Sequence, residues 1–162
     1  MKQLVIKLMA ERGVSLADVA DLVYALQRPF YPALLLEQCT RSIENVLEKR
    51  EVQFAFLTGI TLDVLAEQGR LPEPLQTIIA SDEPLYGIDE VLALGITNVY
   101  GTIGLTNFGY LDKTKLGILS VLNDAPQAVH TFLDDLVAGL AAAASARLAH
   151  NGRALSNEQQ VR

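Results

Sequence analysis

His130-Thr-Phe-Leu-Asp-Asp-Leu-Val-Ala-Gly-Leu-Ala-Ala-Ala-Ala-Ser-Ala-Arg147 is the stretch from which the fold is best read. At roughly 100° per residue it has two faces of different character. Phe132, Leu133, Leu136, Val137 and Leu140 form a bulky apolar stripe, opposite Thr131, Asp134, Asp135, Ala138, Ala142 and Ser145, which are small or acidic. A bulky stripe needs a core. A small-residue stripe lets a second helix come close, and the two carboxylates at its head are then drawn out of water. Like charges repel, and desolvation disfavours both charged forms. A cation is the expected offset, and a hard divalent metal is the commonest one for clustered carboxylates. The alternative is that two acids at a helix start are simply solvated near its positive end.

A second helix repeats the device. Gly87-Ile-Asp-Glu-Val-Leu-Ala-Leu-Gly-Ile-Thr-Asn-Val-Tyr100 opens with the pair Asp89-Glu90. On a helical projection Asp89, Glu90, Ala93 and Thr97 share one side, and Val91, Leu92, Gly95 and Val99 the other. Two such helices packed together gather up to four carboxylates, enough for one or two Mg²⁺ ions completed by water and a substrate phosphate. Two solvated helix starts remain the alternative. Between the pairs, Asp112 and Lys115 lie three apart, neighbours on one turn of helix.

The remainder of the chain reads as all-α, a single-domain multi-helix bundle over residues 1–150 with a polar tail at 151–162. No period-2 alternation of useful length appears. A short amphipathic helix over residues 3–10 stops near Gly13, and Ser15 with Asp18 resembles a capping arrangement that opens a helix through Gln27. A longer helix is expected from Leu35 toward Leu57, interrupted at Thr58-Gly59 and resumed over Ile60–Gln68. Pro72 and Pro74 start a short helix through Ala80. Val91–Leu111 is 21 residues without a charge, enough to span a bilayer, but its Thr, Asn and Gly content reads as a buried helix followed by an apolar turn.

Composition narrows the class. Half of the 162 residues are hydrophobic, 20% are charged and the mean hydropathy is +0.25, so the chain can bury a substantial core. The net charge of −6 is concentrated after residue 70, where 10 Asp/Glu face 5 Lys/Arg. No basic stripe exists for a nucleic acid, and a helix-turn-helix at residues 13–27 would present Asp18 and Asp21 to phosphates. The one cysteine, Cys39, excludes an intrachain disulfide and a Cys-rich zinc site, and fits a reducing cytoplasm as a buried thiol. Met1–Ala10 has Lys7 within its apolar run and no cleavage signal, so no signal peptide is expected.

With these segments quoted, the chain resembles the phosphatidylglycerophosphatase A family, most closely its soluble, low-temperature-requirement-C-like branch. The branch resemblance runs over nearly the whole chain and includes Lys-Arg-Glu-Val-Gln at 49–53 and Leu-Thr-Gly-Ile-Thr-Leu-Asp at 57–63. The membrane-embedded members compare over about residues 82–147, through Ile88-Asp89-Glu90, through Asp112 and Lys115, and through the Asp-Asp-hydrophobic-hydrophobic-Ala-Gly signature at Asp134–Gly139. Leu116 stands where the family often has proline, and the family's early Pro-Gly-Thr loop and spanning helices have no counterpart here.

The resemblance implies a Mg²⁺-dependent phosphatase that converts phosphatidylglycerophosphate to phosphatidylglycerol. Asp89, Glu90, Asp134 and Asp135 would hold the metal, Lys115 would balance charge on the phosphoryl oxygens, and Asp112 would orient Lys115 or a water. Attack by water and an aspartyl-phosphate route are both open. His130, one turn before Asp134, is a candidate general acid or a packed histidine. The competing expectations are a phosphatase for a soluble ester and a non-catalytic helical scaffold. The protein is expected in the cytoplasm, with peripheral contact at the inner membrane face through an apolar loop at Thr106–Tyr110 that includes Phe108. The alanine face at Ala138/Ala142 suits either a second copy or a helix of the same chain.

Overall fold

The computed structural model describes the backbone of residues 1–160 and the side chains of residues 1–150. Among the described residues there are nine α-helices, one 3₁₀ turn and no strand. They are α1 (Lys2–Glu11), α2 (Leu16–Gln27), α3 (Leu36–Leu47), α4 (Arg50–Glu67), α5 (Leu75–Ala80), α6 (Ile88–Thr97), α7 (Gly101–Thr114), α8 (Ile118–Asn123) and α9 (Leu133–Gln160). The expected capping box closes the start of α2, where the Ser15 hydroxyl accepts from the Asp18 N–H and the Asp18 carboxylate accepts from the Ser15 N–H at 2.7 Å.

The bundle is built around α9. Every residue from Thr131 to Ala146 is buried, on the bulky and the small face alike. Helices α2, α3, α4, α6, α7 and α8 all pack on it. Ala138 and Ala142 are therefore covered from within the chain and offer no surface to a second copy. The helix proper begins at Leu133, so His130, Thr131 and Phe132 form its lead-in rather than its first turn. Its backbone stays helical to Gln160, and the side chains of the expected 151–162 tail lie outside the described residues.

Two helix boundaries differ from expectation. The chain breaks at Glu48–Lys49, between α3 and α4, and runs unbroken through Thr58-Gly59. Gly59 does not end a helix; it makes room. A Cβ there would lie 2.6 Å from Leu136 Cδ1 and 2.8 Å from Phe132 Cβ, so the glycine lets α4 lie directly on α9. The second difference is at Val91–Leu111. The apolar turn is a further helix, α7, separated from α6 by the 3₁₀ turn Asn98–Tyr100 and opened by Gly101 at φ +71°. By length and composition Ile88–Thr114 could cross a membrane, but the backbone breaks within it.

Phe108 corrects the expected membrane loop. It lies on the inner face of α7 and is 5% exposed, so it is a core residue and not an insertion tip.

Candidate functional site: a carboxylate–lysine centre

Helix α6 is inverted relative to ordinary amphipathicity. Asp89, Ala93, Ile96 and Thr97 face inward, while Ile88 and Val91 are exposed. The reason is the crossing with α9. A Cβ on Gly139 would lie 3.0 Å from the Ala93 carbonyl oxygen and 3.3 Å from its Cα and Cβ. Only small residues allow backbones this close, and the contact fixes what lies one turn earlier on each helix, Asp89 on α6 and Asp135 on α9. The small stripes thus bring the acids together.

Among the described residues, ligand oxygens of Asp89, Glu90 and Asp135 lie within 4.8 Å of one another. Asp89 Oδ1 and Glu90 Oε2 are buried and accept no hydrogen bond. Burial first, then the neighbouring Glu90, raises the pKa of Asp89; burial and the adjacent Asp134 raise that of Asp135. A cluster of hard oxygens with orphaned acceptors and suppressed ionisation has the donor chemistry of a divalent-cation site.

Lys115 closes the other side. It ends α7 in the left-handed conformation, φ +45°, which turns its side chain back toward the α9 N-terminus. Its Nζ donates to Asp112 Oδ1 at 2.7 Å and to Asp134 Oδ2 at 2.8 Å, and lies 3.7 Å from Asp135 Oδ1. Burial opposes its charge, but the Asp134 carboxylate and the two hydrogen bonds outweigh it and raise its pKa. The six expected site residues therefore meet in one place, in two subsets. Asp89, Glu90 and Asp135 form the oxygen cluster, and Lys115 is bound between Asp112 and Asp134. Asp134 is engaged twice, since its Oδ1 also accepts the Asp135 N–H at 2.8 Å.

Residues that the motifs left unassigned hold this centre in place. Asp63, fully buried on α4, accepts the backbone N–H groups of Phe132 and Leu133, each at 3.0 Å, and so caps α9 just before its acids. Burial raises its pKa to about 8, against the opposing pull of those two N–H donors and of Arg12. One turn on, Glu67 accepts the Val129 N–H at 3.1 Å, and Arg12 Nη2 donates to both Glu67 and the Val129 carbonyl at 2.8 Å. Asp63 is the one charge between Glu51 and Glu67 in an otherwise apolar run, a signal visible in the sequence. The cleft over the centre has a volume of ≈ 260 Å³ and is also lined by Asp82, which no motif singled out. His130 lies beside it, its Nδ1 3.4 Å from Arg12 Nη2, and burial lowers its pKa.

An all-α bundle whose central helix meets α6 and α7 at a carboxylate–lysine centre suited to a divalent cation defines the class of protein. The sequence profile of the family described as Phosphatidylglycerophosphatase A matches residues 5–150, and the chain belongs to that family. It is 55% identical over 150 residues to the uncharacterized protein YpjQ of Bacillus subtilis, covering 93% of this chain and 85% of that one. It is 58% identical over 146 residues to the uncharacterized protein YutG of the same organism, covering 90% and 88%. Among solved structures it is similar to the low temperature requirement C protein from Listeria monocytogenes, with a TM-score of 0.91, 56% identity, and 94% and 96% of the two chains covered. The crystal structure of B. subtilis ypjQ gives a TM-score of 0.91 at 53% identity, covering 95% and 96%. Family membership implies phosphatase chemistry, and the acidic cluster suits a metal.

Proposed function

We propose that this protein is a Mg²⁺-dependent phosphomonoesterase that removes the terminal phosphate of phosphatidylglycerophosphate. The observation that carries this reading is the juxtaposition of one half-buried lysine, held by Asp112 and Asp134, with a cluster of three carboxylates of which Asp135 lies 3.7 Å from it while Asp89 and Glu90 each keep a buried oxygen without a hydrogen-bond partner. Asp89, Glu90 and Asp135 would hold the metal. When bound, it supplies positive charge against the phosphate oxygens, which the acidic cleft would otherwise repel.

The chain's own residues supply the remainder. Lys115, kept charged by Asp134 and Asp112, offers the one ammonium in the cleft and balances charge that grows on the phosphoryl oxygens. Asp134 fixes the Lys115 ammonium through a charge-assisted hydrogen bond, and Asp112 orients it from the opposite side. Burial between α6, α7 and α9 lowers the local dielectric, which strengthens each of these interactions. Water and a carboxylate are alternative attacking groups, and Asp112 and Asp134, both paired with Lys115, are less available than the carboxylates of the oxygen cluster.

A soluble phosphate ester is the second reading, favoured by a cleft whose lining is mostly polar and which has no apolar groove for acyl chains. In either case the protein works from the cytoplasm, approaching a lipid substrate as a peripheral protein.

The test is phosphate release from phosphatidylglycerophosphate in mixed micelles, with Mg²⁺ and with EDTA, on wild type and on Asp135→Asn. Turnover that requires Mg²⁺ and falls by about 10²–10³ in the variant, the size expected for loss of one electrostatic contributor, supports the reading. Turnover indifferent to EDTA overturns the metal. Absence of turnover on the lipid and on soluble esters alike leaves a non-catalytic helical protein.

A further inference from the structure

Up to residue 150, five glycines sit in helices without a positive φ: Gly59, Gly95, Gly104, Gly109 and Gly139. A helical glycine destabilises relative to alanine, so each needs a reason. Three have one inside the chain. A Cβ on Gly59, Gly104 or Gly139 would lie 2.6–3.0 Å from an atom of a neighbouring helix. A Cβ on Gly95 or Gly109 would meet nothing within 4 Å, and both positions are exposed. Packing within one chain does not account for these two.

They also share a surface. Gly95 and Gly109 lie on the outer faces of α6 and α7, and from Val91 to Leu111 there is no charged residue. The exposed faces of α1 to α4, by contrast, carry Lys7, Glu11, Asp21, Glu37 and Glu51. Helix α6 leaves the carboxylate–lysine centre at Asp89 and α7 returns to it at Lys115, so the two form a hairpin, joined where Gly104 meets Thr97. Val91, Val99, Leu105 and Tyr110 project from this hairpin, each 37–59% exposed.

We propose that the outer face of the α6/α7 hairpin is the interface between two copies of the chain, related by a two-fold axis. The inference goes beyond the catalytic reading and does not depend on it.

Three arguments select a second copy as the occupant. The first is charge. Each chain carries −6, so two copies repel over most of their surface. The hairpin face is where they meet without burying like charges. The second is shape. Projecting side chains and glycine gaps occur on the same face, which is the self-complementarity that a two-fold interface requires. Each gap lets a side chain of the facing copy rest on helix backbone. The third is the contrast with a bilayer. Glycine and threonine offer a membrane little apolar area, and no lysine or arginine lies within the face to meet anionic headgroups. Two helices side by side span about 20 Å in each direction. That is the small end of specific interfaces, so the dimer should dissociate in the micromolar range.

The test is analytical ultracentrifugation of the full chain across the micromolar range. Wild type should approach twice the 17.6 kDa of one chain. Leu105→Glu puts a carboxylate into each copy's face and should raise the dissociation constant about a hundredfold, because like charges then oppose each other. Val99→Glu does the same should that variant fail to fold. Val121→Glu, at an exposed apolar position on α8, should leave association unchanged. Gly109→Leu fills a gap without adding charge. It should weaken association while raising the melting temperature of the dilute monomer, since leucine is the better helix former. A wild type that stays monomeric overturns the proposal. So does a dimer that survives both Leu105→Glu and Gly109→Leu, since its contact then lies elsewhere. A monomer that binds phosphatidylglycerol vesicles, and loses that binding in Leu105→Glu, overturns it in favour of a membrane.

Discussion

Asp135 is the residue on which the electrostatics of the centre converge. It is 4% exposed, carries Asp134 beside it in sequence, contributes an oxygen to the cluster with Asp89 and Glu90, and has Lys115 Nζ at 3.7 Å. Burial and Asp134 raise its pKa in the fold. A carboxyl with a raised folded-state pKa contributes most stability below its unfolded value of about 3.9 and loses it as pH rises toward the folded value. Asp135→Asn has no such titration. In EDTA the variant should therefore melt higher than wild type, by a margin that widens between pH 5 and pH 8 in thermal denaturation. With Mg²⁺ present the margin should shrink or reverse at pH 8, because only wild type keeps the full ligand set and binding requires the deprotonated form. A margin independent of pH would mean that Asp135 is ionised and satisfied without a metal.

At the scale of elements, the α6/α9 crossing does the positioning. Asp89 and Asp135 belong to different helices that pack along each other, and the approach of Ala93 to Gly139 sets how closely they cross. Alanine at 139 would raise helix propensity by up to about 1 kcal/mol, yet its Cβ would meet the Ala93 backbone at 3.0 Å. Backbone cannot swing aside as a side-chain tip can. Gly139→Ala should therefore be destabilising, by about 1–3 kcal/mol as overpacking usually is. Because the helices separate at the acids, it should also weaken Mg²⁺ binding in calorimetry. Normal affinity in a destabilised variant would show that the acids are held by something other than this crossing. Helix α7 makes a second point. Phe108→Ser removes a buried aromatic ring and should cost about 3–5 kcal/mol in urea unfolding, as large-to-small core changes do. Any loss of liposome binding in that variant would report unfolding rather than a lost membrane contact.

Across the whole molecule, the centre is a store of unfavourable energy that a cation can release. Buried carboxylates with orphaned oxygens disfavour the fold on their own, and the anchors Asp63, Glu67 and Arg12 hold the α9 N-terminus against that tendency. A metal that binds the folded state alone stabilises it by mass action, by about 2.7 kcal/mol at a hundred times Kd. For a domain of this size that is a rise of about 5–10 °C in Tm. Mg²⁺ titration followed by thermal denaturation should show this rise in wild type and lose it in Asp89→Asn. A flat response in wild type would remove the metal from the centre.

Much of this was written in the local sequence. The capping box at Ser15, the all-helical pattern, the two acid pairs at the heads of small-residue stripes and the Asp112–Lys115 pair are all short-range features, legible because helix periodicity and capping depend on neighbours within about four residues. Family resemblance added the chemistry that these residues serve. Three-dimensional contact decided the rest. Gly59 reads as a helix breaker in sequence, and only the distance to Leu136 shows that it is a packing gap. Phe108 has the composition of an exposed tip, and only the seating of α7 buries it. Asp63 lies 69 residues from the amide it caps, and no periodicity reports a partner that far away. The division of the acids between an oxygen cluster and a lysine pair likewise depends on how α6, α7 and α9 meet. Local sequence settles which faces a helix has; packing settles which of them is inside.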